Sequence, residues 1–588
     1  KSYENPTILE FINLESFLKD YNESEGRPKT KWDDLTISHT ASSALLEGSS
    51  SSDFYSFFNE LKQWCVDKSS SINIKDKQDN IYELKNFLDL DESDFNPIEI
   101  YAYYLGLHIN NMRNGIFLEY LLSFPVTYEK EVREKIIESF YKGIKKSLPI
   151  EILEDEKSIS KLKVLVGATE PSAYAISALN EYGFDPEDDE KIFYGVFDFG
   201  GGTTDFDFGL FREANQKGER RYDYAIEHFG AGGDKYLGGE NILHLIAYEV
   251  FKDNIEELLN NNIKFRMHKE GEKFSGQEFL IDNSQEARLN THKVMDELRP
   301  IWEKREGYES IGEKGCINTS LFKSNGEMIT GFELKVDAEK LENILEKRIE
   351  NGIENFFESL RLSFSDKRAI DCDSINIFLA GNSSKSVYVE KIFNKYMEKE
   401  SNMISANEEV ATTIENMFNI FPPLGTDKAY EKQEELGLEV VRENLKRPTG
   451  KTGVAFGLIE SRNGGSIKVI NDNDKGDESK FNYYVGMKKK KMLKPILSPE
   501  SSYGEWVELI DAYESDVEIH YTTSPKASTG KLDISETTRL KITLDETFED
   551  EDIFVYVRAI TPSQMEYGVF REDNLNDSLV EIKTLSLK

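Results

Sequence analysis

Asp198-Phe199-Gly200-Gly201-Gly202-Thr203-Thr204-Asp205 is the stretch on which the reading of this chain turns. Two apolar runs, Ile192–Phe197 and Phe206–Leu210, flank it. Such runs on either side of a glycine turn predict a β-hairpin. Consecutive glycines let backbone N–H groups come close to a phosphate, because no Cβ stands in the way. Thr203 adds a hydroxyl donor beside them. Asp198 and Asp205 bracket the turn and suit Mg2+, which takes few carboxylates and keeps several of its waters. Taken alone, the octet also fits an ordinary glycine hairpin with two acidic ends.

Outward from the hairpin, helical and strand patterns alternate. An extended piece, Pro6–Phe11, opens the chain. Helical spacing follows over Phe54–Cys65, Pro97–Met112, Glu129–Lys146 and Pro171–Tyr182, with short strands at Tyr120–Phe124 and Leu162–Val166. Beyond the hairpin come helical patterns at Leu237–Leu259, Glu286–Arg305, Ala338–Leu360, Val387–Lys399 and Ala429–Lys446. A strand is predicted at Ile375–Ala380 and an apolar segment at Val454–Leu458. Alternation of this kind predicts an α/β architecture over the first 460 residues. Ser461–Lys480 is rich in Gly, Asn, Asp and Ser and reads as a linker. After it the helical pattern stops, and Val517–Tyr521, Thr538–Leu544, Ile553–Val557 and Val580–Leu585 read as strands of a small all-β module.

Composition narrows the function classes. The chain has 588 residues and a formal net charge of −37, so it repels phosphate backbones and predicts no nucleic-acid partner. Lys488–Lys491 is its one basic run, and four lysines in a row read as a solvated loop. Three widely spaced cysteines, Cys65, Cys316 and Cys372, form neither a disulfide framework nor a metal knuckle. No apolar run reaches the length of a membrane span, so no membrane partner is predicted. The expected setting is a reducing one, cytoplasmic, and the Asn/Lys/Ile-rich style suggests a bacterial source. Gly450-Lys451-Thr452 mimics the end of a P-loop, but Leu445 stands where its first glycine belongs.

Several segments, in order along the chain, resemble the heat-shock-70 chaperones of the actin-like ATPase superfamily. The Asp198 octet resembles that family's second phosphate-binding loop. Phe58-Asn-Glu-Leu-Lys62-Gln-Trp64 resembles the segment with its catalytic lysine. Ser123-Phe-Pro125-Val-Thr-Tyr128 resembles V-P-A-Y-F, with Arg133 placed as the interdomain-signalling arginine. Gly167-Ala-Thr-Glu170-Pro-Ser-Ala-Tyr-Ala175 resembles the segment with the catalytic glutamate. Gly233-Asp234 and Leu237-Gly238-Gly239-Glu240 resemble G-D-x-x-L-G-G-E. Leu379-Ala-Gly381-Asn382-Ser383 resembles the adenosine motif V-G-G-S-[ST], and Gly453-Val-Ala-Phe-Gly457 resembles A-V-A-Y-G. The resemblance covers about residues 5 to 460.

The resemblance implies an α/β fold of the two-lobed, ribonuclease-H-like actin type with a C-terminal all-β domain. Residues 1–190 would be lobe I and 191–460 lobe II, with 231–335 its outer subdomain, then the linker 461–480 and the β domain 481–588. It implies ATP or ADP and Mg2+ as ligands, with slow ATP hydrolysis coupled to conformational change. Lys62, Glu170, Asp198 and Thr203 would be catalytic, and Asp198 and Asp205 would hold the metal. Gly200, Gly201, Gly202, Thr203, Thr204, Gly238, Gly239, Glu240, Lys293, Gly381, Asn382 and Ser383 would bind nucleotide. A protein or peptide client is expected at the β domain, with a possible co-chaperone. A nucleotide-gated binding protein with degenerate ATPase activity and an actin-like assembly protein are the alternatives.

The chain departs from the family in places. It shows no D-x-G-T-T turn for a first phosphate-binding hairpin, and that strand pair is expected to precede Lys1. Leu424-Gly425-Thr426 is no substitute. Ser384 and Lys451 replace a usual arginine and aspartate, the acidic-leucine linker is not visible, and no long helical lid follows the β module.

Overall fold

In the computed structural model the described residues are 5–47, 55–59, 61–66, 72–111, 115–126, 128–234, 236–304, 308–364, 369, 372, 374–405, 417–442, 446–471, 481, 483–499, 501–529, 532–544, 546–548, 550, 552–561, 563–575 and 577–587. The fold is mixed α/β with several sheets.

The first segment builds a core of its own. Strands β1 (Leu9–Phe11), β2 (Leu35–Ile37) and β3 (Phe57–Phe58) form an antiparallel sheet in the order β2-β1-β3. Helix α1 (Leu61–Val66) follows; the longer helix predicted over 54–65 is divided by β3, and Phe54 lies outside the described residues. A hairpin, β4 (Ile72–Lys75) and β5 (Ile81–Leu84), precedes helix α2 (Pro97–Asn110). Asn96 caps α2 by accepting from the amides of Ile98 and Glu99, with proline at the first helical position. Helix α3 (Lys130–Ser147) lies against α2. Gly143 permits the approach: a Cβ there would sit 2.1 Å from the Glu99 carbonyl oxygen. Strands β6 (Glu119–Leu122) and β7 (Lys163–Val166) form a parallel pair.

The predicted hairpin is β8 (Lys191–Phe199) and β9 (Thr204–Glu213), in antiparallel register with Asp198 opposite Asp205. It lies at the centre of a six-stranded sheet ordered β14 (Phe418–Phe421), β13 (Ile375–Ala380), β8, β9, β10 (Tyr224–Asp234) and β15 (Ile467–Asn471). Strand periodicity decides its two faces. Phe193, Phe197 and Phe199 point to one core; Ile192, Tyr194 and Val196 point to the other. Both faces are therefore covered by helices, which is why the strands read as continuous apolar runs. Helix α4 (Glu170–Glu181) lies on the Tyr194 face. On the phenylalanine face lie α5 (Gly239–Asp253), α6 (Gln285–Glu303), α7 (Ala338–Phe364) and α8 (Val387–Ser405). Strands β11 (Cys316–Phe322) and β12 (Met328–Lys335) add a hairpin.

Strand β13 (Ile375–Ala380) pairs in parallel with β8 and with β14 (Phe418–Phe421). Helix α9 (Asp427–Glu435) is shorter than the predicted 429–446, ending before Gly437, whose φ is 77°. Helix α10 (Gly453–Ser461) crosses α4 at a glycine. A Cβ on Gly457 would lie 1.8 Å from the Ala173 carbonyl oxygen.

Two segments differ from expectation. β10 runs from Tyr224 to Asp234, so residues 231–234, assigned to an outer subdomain, continue the central sheet. Part of the supposed linker is also sheet: β15 (Ile467–Asn471) pairs in parallel with β10 from Tyr224 to His228. Its apolar residues alternate, Ile467 with Val469, which the polar flanks concealed.

The last hundred residues form two four-stranded antiparallel sheets around one shared core. The first is β17 (Met492–Leu497), β16 (Tyr484–Lys489), β19 (Asp516–Thr522) and β20 (Thr538–Thr543). The second is β18 (Val507–Asp511), β21 (Ile553–Thr561), β22 (Gln564–Arg571) and β23 (Lys583–Ser586). Four of these eight strands were not predicted. The lysine run ends β16 and makes the β16–β17 turn, with left-handed Lys490 and Lys491 at φ 58° and 94°. Among the described residues Cys65, Cys316 and Cys372 form no disulfide. Among the described residues no helix is long and apolar enough to cross a membrane.

Gly457→Ala separates two opposing effects. Helix propensity alone favours alanine by about 1 kcal/mol, whereas overpacking against the Ala173 backbone costs roughly 1–3 kcal/mol. The loss is expected to win, lowering the urea midpoint; a raised midpoint would refute the close crossing.

Candidate functional site

The β8–β9 turn opens into a cleft of about 3430 Å3. Its backbone is organised by what sits beneath it. Gly200 N–H donates to the Thr203 carbonyl at 3.0 Å, closing the turn. The loop carbonyls are then taken up from below. Gly239 N–H donates to Gly200 O at 3.0 Å, Glu240 N–H to Gly201 O at 2.8 Å, and Asn241 Nδ2 to Gly202 O at 2.6 Å. Ser383 Oγ also donates to Gly200 O, at 2.9 Å. The amides of Gly201 and Gly202 donate to no protein acceptor among the described residues. With the carbonyls engaged on one side, amides are what the loop presents to the cleft, an arrangement that suits an anion.

Two glycines make this possible. At Gly238 a Cβ would meet Gly202 C at 2.3 Å and Gly201 O at 2.4 Å. Gly381, at φ 78°, follows β13, where a Cβ would meet Phe199 O at 2.2 Å. Three chain segments thus meet at backbone distance.

The charged groups converge from separate elements. Lys62 on α1 reaches Glu170, the first residue of α4, with Nζ–Oε1 3.2 Å. Thr169 caps α4 by accepting from Ser172 N–H, and Glu170 N–H donates to Phe124 O at 3.1 Å. Tyr128 OH donates to Lys62 O at 3.0 Å, seating α1. The charge of Glu170 raises the Lys62 ammonium above its ordinary value.

Burial, then the charges of Glu170 and Asp205, hold the Asp198 carboxyl well above the usual carboxylate range, although part of its surface stays open. Burial, then the charge of Glu170, pushes Asp205 up to about 7. Thr203 Oγ1 donates to Asp205 Oδ2 at 3.1 Å, and Asp205 Oδ1 is buried with no partner. Two carboxylates held where ionisation is costly, one with an orphaned oxygen, fit a site for a hydrated divalent cation. Among the described residues no cluster of three or more His, Cys, Asp or Glu side chains is placed to ligate a metal directly.

Lys62, Glu170, Asp198, Gly200, Gly201, Gly202, Thr203, Asp205, Gly239, Glu240, Gly381, Asn382 and Ser383 line the one cleft, as do Pro125 and Arg133. Three expected contacts differ. Thr204 is fully buried and donates to Leu237 O at 2.6 Å, so it anchors the loop from behind. Gly238 lies under the loop rather than in the cleft. Lys293 is off the cleft, its Nζ 5.8 Å from the Phe322 ring centre. On the same helix, His292, Met295, Arg299 and Trp302 line the cleft instead. Arg299 makes a bidentate pair with Glu240, at 2.8 and 3.1 Å. The spacing of Met295, Arg299 and Trp302 on one helical stripe was the signal available for them.

No family model matches the chain. The chaperone protein DnaK of Stenotrophomonas maltophilia (strain R551-3) is 24% identical over 259 residues, 44% of this chain and 34% of that protein. The matched part thus spans about a third of that relative's length. The chain carries a divergent heat-shock-70 resemblance over a segment.

Asp205 makes stability depend on pH with a defined sign. A carboxyl whose folded value is raised binds its proton more tightly in the folded state, so stability falls as pH rises from about 4 to about 7 and then levels. In urea unfolding without ligand, Asp205→Asn is expected to flatten that fall and to be the more stable protein at pH 8. Equal pH profiles for the two proteins would refute the assignment.

Proposed function

We propose that the chain is a heat-shock-70-like protein that binds ATP with Mg2+ and hydrolyses it slowly, driving conformational change that governs a protein partner. One observation carries this reading: the free Gly201 and Gly202 amides stand in the same cleft as the Lys62–Glu170 pair and the Asp198–Asp205 carboxylates. The distant DnaK likeness supports it at family level.

Hydrolysis of a phosphoanhydride asks for positioning and charge stabilisation more than for covalent chemistry. Gly201, Gly202 and Thr203 would hold phosphate oxygens. Glu170 would orient the attacking water, fixed at the helix start by its amide bond to Phe124 O. Lys62 would offset charge that builds on the terminal phosphate. Asp198 and Asp205 would hold Mg2+ through its waters, and that ion would neutralise phosphate charge. Arg299, Trp302 and Asn382 would line the nucleoside end. The arrangement proposed is the two-lobed actin type, residues 1–190 and 191–460, with the C-terminal sheets as the site of a client protein or peptide and a co-chaperone as a possible partner. β15 would pass the nucleotide state onward, since it lies on β10 and leads to the C-terminal sheets.

Two measurements test this. Mg·ATP at about 100 times its dissociation constant should stabilise the protein by roughly 2.7 kcal/mol, seen as a rise in Tm with ATP and ADP but not GTP. Absence of any shift would overturn the nucleotide reading. Glu170→Ala should lower ATP turnover at least about 100-fold and keep the shift; retained turnover would overturn the role of Glu170 alone.

A further inference from the structure

The C-terminal sheets touch the rest of the molecule through a charged turn. Residues Pro525–Thr529 form a single 3-10 turn before β20 that packs on α7. Lys526 Nζ reaches Glu354 Oε2 of α7 at 2.8 Å, across 172 residues of sequence. One helical turn further along α7, the Glu358 side chain is 13% exposed, and its Oε2 is buried with no hydrogen-bond partner. A second contact joins Ser563 at the start of β22 to Glu129 at the start of α3.

The surroundings of Glu358 come from three elements. α7 supplies Glu354 and Arg361, the latter 3.8 Å from Glu358 and engaged with Glu400 of α8. α8 also supplies Lys399 and Tyr396. The turn supplies Lys526, which Glu536 faces from the sheet side. From the sheet side the two carboxylates meet the Lys526 ammonium, which is bonded to Glu354, while Arg361 and Lys399 face Glu358 from α7 and α8. Glu358 keeps the Arg361 guanidinium at 3.8 Å from Oε1, but its enclosed Oε2 has no donor, a costly state for a charged carboxylate and an acceptable one for a protonated acid.

We propose that Glu358 and Lys526 form a proton-linked clasp, which holds the C-terminal sheets on α7 when Glu358 carries a proton and loosens when it does not. Burial comes first among the causes acting on Glu358, and it pushes the carboxyl up to about 7. Once the sheets lift off, water reaches Glu358 and its affinity for the proton drops to that of an ordinary carboxylate. The docked form therefore binds protons more tightly. Docking is strongest below the ordinary carboxylate value, weakens as pH rises to about 7, and changes no further above it. Lys526 is needed at every pH, because without it Glu354 and Glu358 face the turn with no cation from the sheets. This device is independent of the nucleotide reading and would operate in the ligand-free chain.

Small-angle X-ray scattering of the full chain at pH 5.5, 6.5 and 7.5, without nucleotide, tests the clasp. The wild-type radius of gyration is expected to grow across this range. Glu358→Gln is expected to stay at the compact value throughout, since the amide imitates the protonated acid. Lys526→Met, on a surface turn outside the α7 core, is expected to show the larger radius at all three values. A wild-type radius constant over the range would overturn the proposal. So would a Glu358→Gln radius that tracks the wild type, or a Lys526→Met protein as compact as the wild type at pH 5.5. If Glu358→Gln fails to fold, the Lys526→Met comparison decides alone.

Discussion

Everything at the centre of this molecule depends on backbone lying directly on backbone. The loop Gly200–Gly202, the helix start at Gly238–Gly239 and the turn at Gly381 approach so closely that no side chain fits between them. Because they touch, the start of α5 can satisfy the loop carbonyls, and the amides are turned toward the cleft. A β-carbon at Gly238 would push α5 off the loop, and with α5 would move Glu240 and its partner Arg299. A hairpin turn thereby becomes a fixed anion-facing surface, its hydrogen bonds arranged before any ligand arrives.

Electrostatic tension is built on that rigid base. Three carboxylates, Glu170, Asp198 and Asp205, share a cleft wall with the Lys62 ammonium. Such an excess of buried negative charge is unfavourable in the empty protein and is relieved by cations or protons. The same reasoning applies on a smaller scale at Glu358.

Much of this was legible in the sequence where local chemistry and tertiary position agree. The hairpin could be read because its apolar runs are buried on both faces and its turn holds three successive glycines. Lys62 and Glu170 were legible only through ordered resemblance, because neither residue differs locally from any surface lysine or helix-start glutamate. The misses have physical causes. Thr204 and Lys293 sit one position away from cleft-facing neighbours, and a one-residue step reverses a strand's face or turns a helix side chain by about 100°. The β16–β17 turn was hidden by lysines, which suit an edge hairpin facing solvent as well as they suit a loop. β22 does alternate, with Met565, Tyr567 and Val569 buried, but glycine and charge interrupt the pattern. β15 was obscured because its partner, β10, lies more than 200 residues earlier, where no local pattern reports it.

That long-range pairing also bears on how the protein is made. β10 gains its outer neighbour only from residues 467–471, after α5, α6, α7, α8 and α10 have all been synthesised. Until then the backbone edge Tyr224–His228 stands open beside a largely apolar hairpin. Exposed strand edges recruit other strands, and pairings of large sequence separation form slowly. During translation, a nascent chain that stalls between β10 and β15 therefore carries an adhesive edge for most of its length, and the ribosome itself sets how long that edge goes uncovered.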